Sequence, residues 1–225
     1  MKREFLTTQD GSVTIHLPDW NEQYHSKHGA INEANHVFLQ HGLAHFIASE
    51  VITSKPLAVL EIGFGTGLNA LLTALEAEAI QRPIQYTGVE AYPVVISELQ
   101  QLNYTELLQS DASQFEKLHA SPWEEAVTIS NYFTLKKRKQ FFSEIKDSAA
   151  YHIIYFDAFG ARVQPELWTE AIFKSMFDAL LPNGVLVTYS AKGSVRRAMQ
   201  AVGFEVERLP GPPGKREMLR ATKKG

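Results

Sequence analysis

The feature that most constrains the fold is a short apolar segment followed at once by three closely spaced glycines. Residues 56–62 read Pro-Leu-Ala-Val-Leu-Glu-Ile, a pattern that indicates a buried parallel strand. Gly63, Gly65 and Gly67 follow, and 68–79 is rich in Leu and Ala, as a helix would be. Glycines let the backbone turn sharply and approach a ligand closely. A strand, a tight turn and a helix in this order predict the opening unit of an α/β domain.

Strand and helix patterns alternate along the rest of the chain. Further strands are predicted at 84–89, 127–133, 151–156, 184–190, 204–209 and 216–221, and helices at 94–102, 165–181 and 194–202. The last two strands flank a Pro-Gly-Pro-Pro-Gly loop, which predicts an antiparallel pair. We therefore predict an α/β fold with a doubly wound, mostly parallel, seven-stranded Rossmann-like sheet that ends in an antiparallel C-terminal strand.

The first fifty residues follow a different pattern. Residues 5–16 alternate around Asp10-Gly11, which predicts a hairpin with a two-residue turn. A loop at 18–29 precedes a predicted helix over 32–50, with Asn32 as its N-cap. We expect an N-terminal extension over 1–50 and a main domain over 51–225, forming one compact unit.

Composition excludes several classes of protein. The 225 residues include no cysteine, so disulfide scaffolds, thiolate zinc sites and cysteine nucleophiles are excluded. No apolar run approaches the roughly 18 residues of a membrane span, and the N-terminus lacks an apolar signal core, so we expect a cytoplasmic protein. The net charge is −3, yet the segment from Lys192 onward contains nine Lys and Arg and only three Glu. Such a basic segment on an acidic body is typical of a local contact with a polyanion, with a solvated basic surface as the alternative.

The spacing of the glycines favours one class of ligand. The dinucleotide fingerprint needs a third glycine where this chain has Leu68. Gly-x-Gly-x-Gly preceded by an acid, here Glu61, is instead typical of loops that bind S-adenosylmethionine. Glu90 ends the next predicted strand, where a carboxylate can accept hydrogen bonds from both ribose hydroxyls. A strand-to-helix turn that binds nothing is the alternative interpretation.

A second acid follows a later strand. Asp157 comes directly after 151–156, which places its carboxylate near the ligand crevice at the carboxyl edge of the sheet. In a methyltransferase that acts on an amine, this carboxylate would orient the amine. An aspartate that caps a helix or closes a turn is the alternative.

Histidines and one serine invite other interpretations. His25-x-x-His28 and the series His36, His41, His45 suggest a metal, but no acidic cluster completes a site, so we expect none. Ser190 lacks the Gly-x-Ser-x-Gly context of a nucleophile.

Three blocks of residues resemble the MnmC/MnmD-type tRNA methyltransferases. The first is Tyr24-His25-Ser26-x-His28-Gly29-Ala30, with Glu33 beyond it, and the second is Phe64-Gly65-Thr66-Gly67-Leu68-Asn69 with Glu61 and Gly63 before it. The third begins at Phe156-Asp157-Ala158-Phe159 and passes through 165–169, 190–197 and 203–204 to Gly214-Lys215-Arg216-Glu217-Met218. Together they span most of the chain, with the poorest match over 91–150.

The resemblance implies an S-adenosylmethionine-dependent enzyme that methylates 5-aminomethyl-2-thiouridine at the tRNA wobble position, giving the 5-methylaminomethyl form. The tRNA anticodon loop is then the expected partner. Bifunctional members also carry an FAD-dependent oxidoreductase domain. Since the sequence stops at Gly225, we expect that step to belong to a separate protein.

The resemblance also assigns roles to residues. Asp157 is the expected catalytic residue. The expected cofactor-binding residues are Glu61, Gly63, Phe64, Gly65, Gly67, Asn69 and Glu90. The expected substrate-binding residues are Tyr24, His25, His28, Phe159, Lys192, Arg196, Arg197, Lys215 and Arg216. Phe159 or Trp168 would stack on the splayed wobble base, and the basic residues would contact phosphates.

Three alternatives stay open at this point. The chain could methylate a small-molecule amine with the same cofactor residues. It could be an aminopropyltransferase-like enzyme, which uses decarboxylated S-adenosylmethionine and an aspartate after the same strand. It could also be an RNA-binding module that has kept the fold without the chemistry.

Overall fold

The computed structural model describes residues 2–49 and 55–225, and an eight-stranded sheet forms its centre. The chain begins with a small three-stranded sheet of β1 (Glu4–Thr7), β2 (Val13–Leu17) and β3 (Glu22–Gln23). The central sheet contains β4 (Leu57–Ile62), β5 (Ile84–Val89), β6 (Ala126–Ser130), β7 (Phe133–Arg138), β8 (Tyr151–Phe156), β9 (Leu180–Thr188), β10 (Glu205–Pro210) and β11 (Glu217–Thr222).

The order of the central strands creates one natural ligand crevice. It runs β10-β11-β9-β8-β4-β5-β7-β6, and the five strands from β9 to β7 are parallel. The chain moves outward from β4 to β5 and β7, then returns to place β8 on the other side of β4. Strand order therefore reverses between β4 and β8, and the crevice beyond their carboxyl ends is where such sheets bind ligands.

The fold class is confirmed, including the antiparallel pairing of β11 with β9, but the strand count is eight and not seven. The single strand predicted at 127–133 is a hairpin, in which β6 pairs antiparallel with β7. Every second residue of β7 is buried: Phe133, Leu135 and Lys137. The lysine on that buried face hides the alternation that would have revealed the strand.

The helices differ from the predictions at their ends, and two short ones, Tyr104–Leu107 and Ala112–Ala120, were not predicted. Those after β4 are Leu68–Ile80, Ile96–Leu99, Tyr104–Leu107, Ala112–Ala120, Glu170–Ala179 and Gly193–Ala201. The helix predicted over 165–181 is a 3₁₀ turn, Pro165–Trp168, followed by a separate helix. Thr169 caps that helix by accepting the backbone N–H of Ile172, and β9 already begins at Leu180. Only Ile96–Leu99 of the helix predicted over 94–102 is helical.

The N-terminal hairpin and helix also depart from the sequence predictions. The strands of the hairpin are joined by residues 8–12, not by a two-residue turn, and Asp10 accepts the backbone N–H of Ser12 within that loop. The helical segment begins at Ala30, with Gly29 and not Asn32 as its N-cap, and passes through a π-helical stretch, Asn35–Ala44, to His45–Ser49. Its predicted end at Glu50 and the predicted domain boundary lie outside the described residues.

Apolar packing lies on both faces of the central sheet. One cluster packs the helical segment 30–49 and the helix Leu68–Ile80 against one face, and the other packs Glu170–Ala179 and Gly193–Ala201 against the opposite face. These helices fix the carboxyl edges of β4 and β8 on both sides. Within residues 2–49 and 55–225, no helix is long and apolar enough to cross a membrane.

Candidate active site

A cavity of about 1240 Å³ lies at the carboxyl edge of the parallel strands. Residues that follow β4, β5, β8 and β9 line it, as the reversal of strand order predicts. The N-terminal extension supplies another part of its wall, including Trp20 and Tyr24. The cavity is thus enclosed by two parts of the chain that are distant in sequence.

The glycine loop brings the backbone close to the strand that carries Asp157. Gly63 has φ 92°, a left-handed conformation, and a Cβ there would lie 2.6 Å from the Asp157 carbonyl oxygen. Only glycine fits this position without strain. Gly65 also lines the cavity, whereas Gly67 lies one step back and caps the helix Leu68–Ile80 with φ 73°. The loop therefore leaves room for a ligand above β4.

Two of the expected cofactor residues support the loop. Phe64 packs over Gly88 of β5, where a Cβ would lie 2.3 Å from its ring. Glu90 follows β5 and accepts the backbone N–H of Gly65 at 3.1 Å and of Tyr92 at 2.9 Å. The Glu90 carboxylate therefore lies at the cavity wall beside the loop.

Asp157, Asn69 and Glu61 form a hydrogen-bonded group at the cavity floor. The Asn69 amide nitrogen donates to Asp157 Oδ2 and to Glu61 Oε1, both at 2.9 Å. Burial, with a contribution from the charge of Glu33, raises the pKa of Asp157 to about 7. Burial also raises the pKa of Glu61 well above its usual value. A carboxylate with a pKa near neutrality can exchange a proton with a bound ligand.

Glu33, Lys215 and Tyr189 complete the same wall, and two of them were missed as site residues. Glu33 forms an ion pair with Lys215, and the Lys215 Nζ lies 3.9 Å from the centre of the Tyr189 ring. Glu33 was noticed only as part of the family pattern, because an acidic residue inside a predicted helix is usually expected on the solvent-exposed face of that helix. Tyr189 directly follows β9. The rule that ligands bind beyond the carboxyl ends of parallel strands could therefore have identified it as a site residue.

Five of the expected substrate-binding residues line the cavity: Tyr24, His25, His28, Phe159 and Lys215. Phe159 packs edge-on against Tyr24, with ring centres 5.0 Å apart. His25 Nδ1 lies 3.0 Å from Thr14 Oγ1 and its Nε2 lies 3.4 Å from Thr66 Oγ1, so it joins the extension to the glycine loop. Burial lowers the pKa of His25 to about 4, which leaves its ring neutral at physiological pH. His28 contacts Gln9 through Nδ1 at 3.0 Å.

The expected phosphate contacts are divided between the cavity and the edge of the sheet beside it. Lys192, Arg196, Arg197 and Arg216 are outside the cavity lining, at the edge where β9 ends and β11 begins. Lys215, expected to contact phosphates, is turned into the cavity toward Glu33. Trp168 is buried and donates its indole N–H to the Phe159 carbonyl at 2.7 Å, so it cannot stack on a base. In the described part of the chain, no group of three potential metal ligands is found.

Comparison with known proteins defines the class. Residues 97–224 match the model of a family of S-adenosyl-L-methionine-dependent methyltransferases, and the chain belongs to that family. The expected class of enzyme and its cofactor are thereby confirmed.

Its relatives narrow the resemblance. The chain is 29% identical over 231 residues to the tRNA 5-methylaminomethyl-2-thiouridine biosynthesis bifunctional protein MnmC of Cupriavidus metallidurans, covering 96% of this chain. It is 28% identical over 219 residues to the protein of that name from Pseudomonas savastanoi pv. phaseolicola, covering 91% of this chain. The chain spans about a third of the length of these relatives, 33% and 32% respectively.

Solved structures agree with this family. The chain superimposes on MnmC2 from Aquifex aeolicus with a TM-score of 0.75 and 25% identity, over 100% of this chain and 71% of that one. Spermidine synthase from Thermotoga maritima shares the fold, with a TM-score of 0.63 and 16% identity over 99% of this chain and 69% of that one. The expected resemblance to MnmC-type proteins is confirmed.

The residues present fit the cofactor of the family. Gly63 and Gly65 line the cavity without a side chain, so the loop backbone is open to a ligand there. The buried Oδ1 of Asn69, which also lines the cavity, has no hydrogen-bond partner among the described residues. Buried polar atoms are rarely left without partners, so this oxygen is suited to a donor on a ligand.

Proposed function

We propose that this chain transfers a methyl group from S-adenosylmethionine to the amine of 5-aminomethyl-2-thiouridine at the tRNA wobble position. One observation carries the proposal: the Asp157 carboxyl, with a pKa of about 7, lies beside the glycine loop in a cavity open enough for a nucleoside. The names of the MnmC relatives support the substrate.

The proposed role of Asp157 is to bind the amine and take its proton. A simple alkylammonium has a pKa near 10.4 and cannot attack until it loses a proton. Asp157 as a carboxylate would accept a hydrogen bond from the ammonium. Its raised pKa reduces the difference between the pKa values of the ammonium and the carboxyl, which favours proton transfer. The nitrogen lone pair is then directed toward the methyl donor, and positioning supplies most of the acceleration.

The proposed cofactor site uses the glycine loop, Glu90 after β5 and Glu61 within β4. S-adenosylmethionine, when bound, supplies a methyl group already activated on a sulfonium. Gly63 and Gly65 would pass close beneath it, and Glu90 would accept hydrogen bonds from the ribose hydroxyls. Asn69 and Glu61 would contact it through the floor of the cavity, with Phe64 supporting the loop from behind.

The proposed tRNA site combines the cavity with the basic edge beside it. Tyr24 and Phe159 present aromatic surface inside the cavity, against which a splayed base can stack. His25 and His28 form part of the same wall. The phosphates of the tRNA anticodon loop would pass along this edge and contact four basic residues there: Lys192, Arg196, Arg197 and Arg216. The separate oxidoreductase expected from the bifunctional relatives stays a prediction.

The experiment uses purified protein, S-adenosylmethionine and tRNA that carries 5-aminomethyl-2-thiouridine, followed by digestion and mass spectrometry of the nucleosides. We expect the wobble nucleoside to gain one methyl group. Asp157→Asn should abolish the gain, whereas Asp178→Asn, which alters an exposed ion pair with Lys174, should not.

Parallel assays separate the alternatives. Equal activity on the free nucleoside or a simple amine, unaffected by salt, would replace the tRNA proposal with a small-molecule amine methyltransferase. Transfer from decarboxylated S-adenosylmethionine in preference to the methyl donor would indicate an aminopropyltransferase. Binding of tRNA and cofactor without any transfer would leave a binding module.

A further inference from the structure

The ion pair of Glu33 and Lys215 is built into the cavity wall and is not a surface contact. The Glu33 side chain is 10% exposed and that of Lys215 30% exposed. Glu33 Oε2 also accepts the backbone N–H of Ser26 at 2.8 Å, and Tyr189 holds its ring 3.9 Å from the Lys215 ammonium. Tyr189 is fixed in turn by donating its hydroxyl to the Ala158 carbonyl at 2.7 Å. Each member of the pair is therefore held in place by a second contact.

The pair lines the same cavity as Asp157, and Tyr189, whose ring lies against Lys215, donates its hydroxyl to the carbonyl of Ala158, the residue after Asp157. The carboxylate of Glu33 raises the pKa of Asp157 and the ammonium of Lys215 lowers it, in addition to the dominant effect of burial. The titratable groups that interact with Asp157 come from five parts of the fold: Glu33, Glu61, Tyr86, Tyr189 and Lys215. Among these five, Lys215 is the only cation.

The charges of this wall leave Asp157 in a distinct position. Burial favours the neutral form of Glu61, and Lys215 compensates the charge of Glu33. Asp157 and Glu61 share the Asn69 amide donor, and neither has an ion-pair partner among the described residues, but Glu61 is 1% exposed whereas Asp157 is half-buried and lines the cavity. Beside the Glu33–Lys215 pair, a charged ligand amine would therefore meet Asp157 as the accessible carboxyl without a paired cation.

We propose that Glu33 and Lys215 are positioning residues that act as a balanced pair, directing the substrate amine to Asp157 and setting the pH at which Asp157 can accept its proton. The inference rests on the proposed function. Neither residue touches the reacting atoms in this scheme, since each acts through its charge on Asp157.

The step that the pair regulates is a proton transfer followed by methyl transfer. The ammonium gives one proton to the Asp157 carboxylate, which forms the neutral carboxylic acid and the free amine. The amine nitrogen forms a bond to the methyl carbon as the carbon–sulfur bond breaks, and the electron pair of that bond stays on sulfur. The product is a secondary ammonium and a neutral thioether, so charge and atoms balance.

The test removes each charge separately and follows Asp157 directly. Lys215→Met should raise the apparent pKa of Asp157 by about one pH unit, because an uncompensated Glu33 then faces it. Glu33→Gln should lower it by a similar amount, because Lys215 is then uncompensated. The double variant should return toward the wild-type value, and Lys215→Arg, which keeps the charge, should preserve it.

Carbon-13 NMR of aspartate carboxyl groups measures these titrations without turnover. The Asp157 signal is assigned by its loss in Asp157→Asn. The acidic side of the kcat/KM profile on modified tRNA should shift in the same two directions. Lys174→Met, in an exposed ion pair with Asp178, is the matched control and should move neither readout.

Shifts of the Asp157 pKa in opposite directions in the two single variants support the proposed role of the pair. Shifts in the same direction, or no shift in folded protein, overturn it. The NMR result stands apart from the proposed function. If Asp157 titrates as expected but no methyl transfer to modified tRNA occurs, the substrate assignment fails and the electrostatic arrangement does not. If transfer occurs and both variants leave the titration unchanged, the inference alone fails.

Discussion

The Asn69 amide donates to Asp157 Oδ2 across 2.9 Å, and this contact joins residues that are 88 positions apart in the sequence. Asn69 lies in the first turn of the helix after the glycine loop, and Asp157 follows the strand beside β4. The hydrogen bond favours the charged form of Asp157 and opposes the effect of burial on its pKa. The helix that follows the glycine loop therefore also influences the proton affinity of Asp157.

Removing this contact should shift Asp157 further toward its protonated form. In Asn69→Ala we expect the apparent pKa of Asp157 to rise above 7 and methyl transfer at pH 7 to fall, with partial recovery at higher pH. We also expect a loss of about 1–3 kcal/mol in the free energy of unfolding, because Glu61 loses its buried donor. A pH profile and a urea titration measure both effects, with Asn131→Ala in the exposed turn between β6 and β7 as the control. An unchanged profile would contradict this role.

Replacing Asp157 should increase stability while it removes activity. Its folded pKa of about 7 exceeds the ordinary value of 3.8, so the folded state binds the proton more tightly than the unfolded state does. The stabilisation from this group is complete below pH 3.8 and is lost as the pH rises to about 7. We expect Asp157→Asn to be more stable than the wild type at pH 8 by about 1–2 kcal/mol, allowing for partial exposure.

Denaturant titrations at several pH values check this expectation. The difference between the variant and the wild type should shrink as the pH falls toward 4. Asp178→Asn should show no gain at pH 8. A wild type that is more stable than Asp157→Asn at pH 8 would show that hydrogen bonding at this position outweighs its electrostatic cost.

The conformation of Gly63 should make this position of the glycine loop intolerant of any side chain. Gly63→Ala places a Cβ 2.6 Å from the Asp157 carbonyl oxygen at a φ of 92°. We expect a loss of about 1–3 kcal/mol in the free energy of unfolding and weaker binding of S-adenosylmethionine, measured by calorimetry. At Gly160 the nearest atom to an added Cβ is Tyr189 Oη at 3.7 Å, so Gly160→Ala should cost within about 0.5 kcal/mol. Equal stability losses in the two variants would contradict the steric argument.

The basic edge should govern affinity for tRNA and not the chemistry. The double variant Arg196→Glu and Arg197→Glu should weaken tRNA binding by about tenfold or more at 0.1 M salt and reduce the slope of log affinity against log salt by about 1–2. Binding of S-adenosylmethionine should be unchanged, because these residues lie outside the cavity lining. Filter binding across a salt series measures the slope, with Lys146→Glu on an exposed loop as the control. An unaltered tRNA affinity would show that the phosphates pass elsewhere.

Local pattern was sufficient for the parts of the fold that are continuous in sequence. The apolar segment 57–62, the glycines after it and the strand 151–156 predict β4, the loop and β8, because a buried parallel strand and a tight turn each require residue types that few other structures tolerate. The same reasoning placed Glu90 and Asp157 at one edge of the sheet. It failed at 127–133, where a buried lysine in the following strand disguised a hairpin.

The tertiary structure decided which charges face one another. Glu33 and Lys215 are separated by 182 positions, and no spacing rule relates a helix near the N-terminus to a loop near the C-terminus. Folding brings both to the wall of the cavity that Asp157 also lines, whereas Lys192, Arg196, Arg197 and Arg216 stay outside that lining. The sequence by itself therefore determined the type of sheet, the loop and the acids at its edge, since these depend on local geometry. Packing alone determined which of these acids is paired with a cation and which is buried without one, because burial and through-space electrostatics depend on neighbours that the order of residues does not reveal.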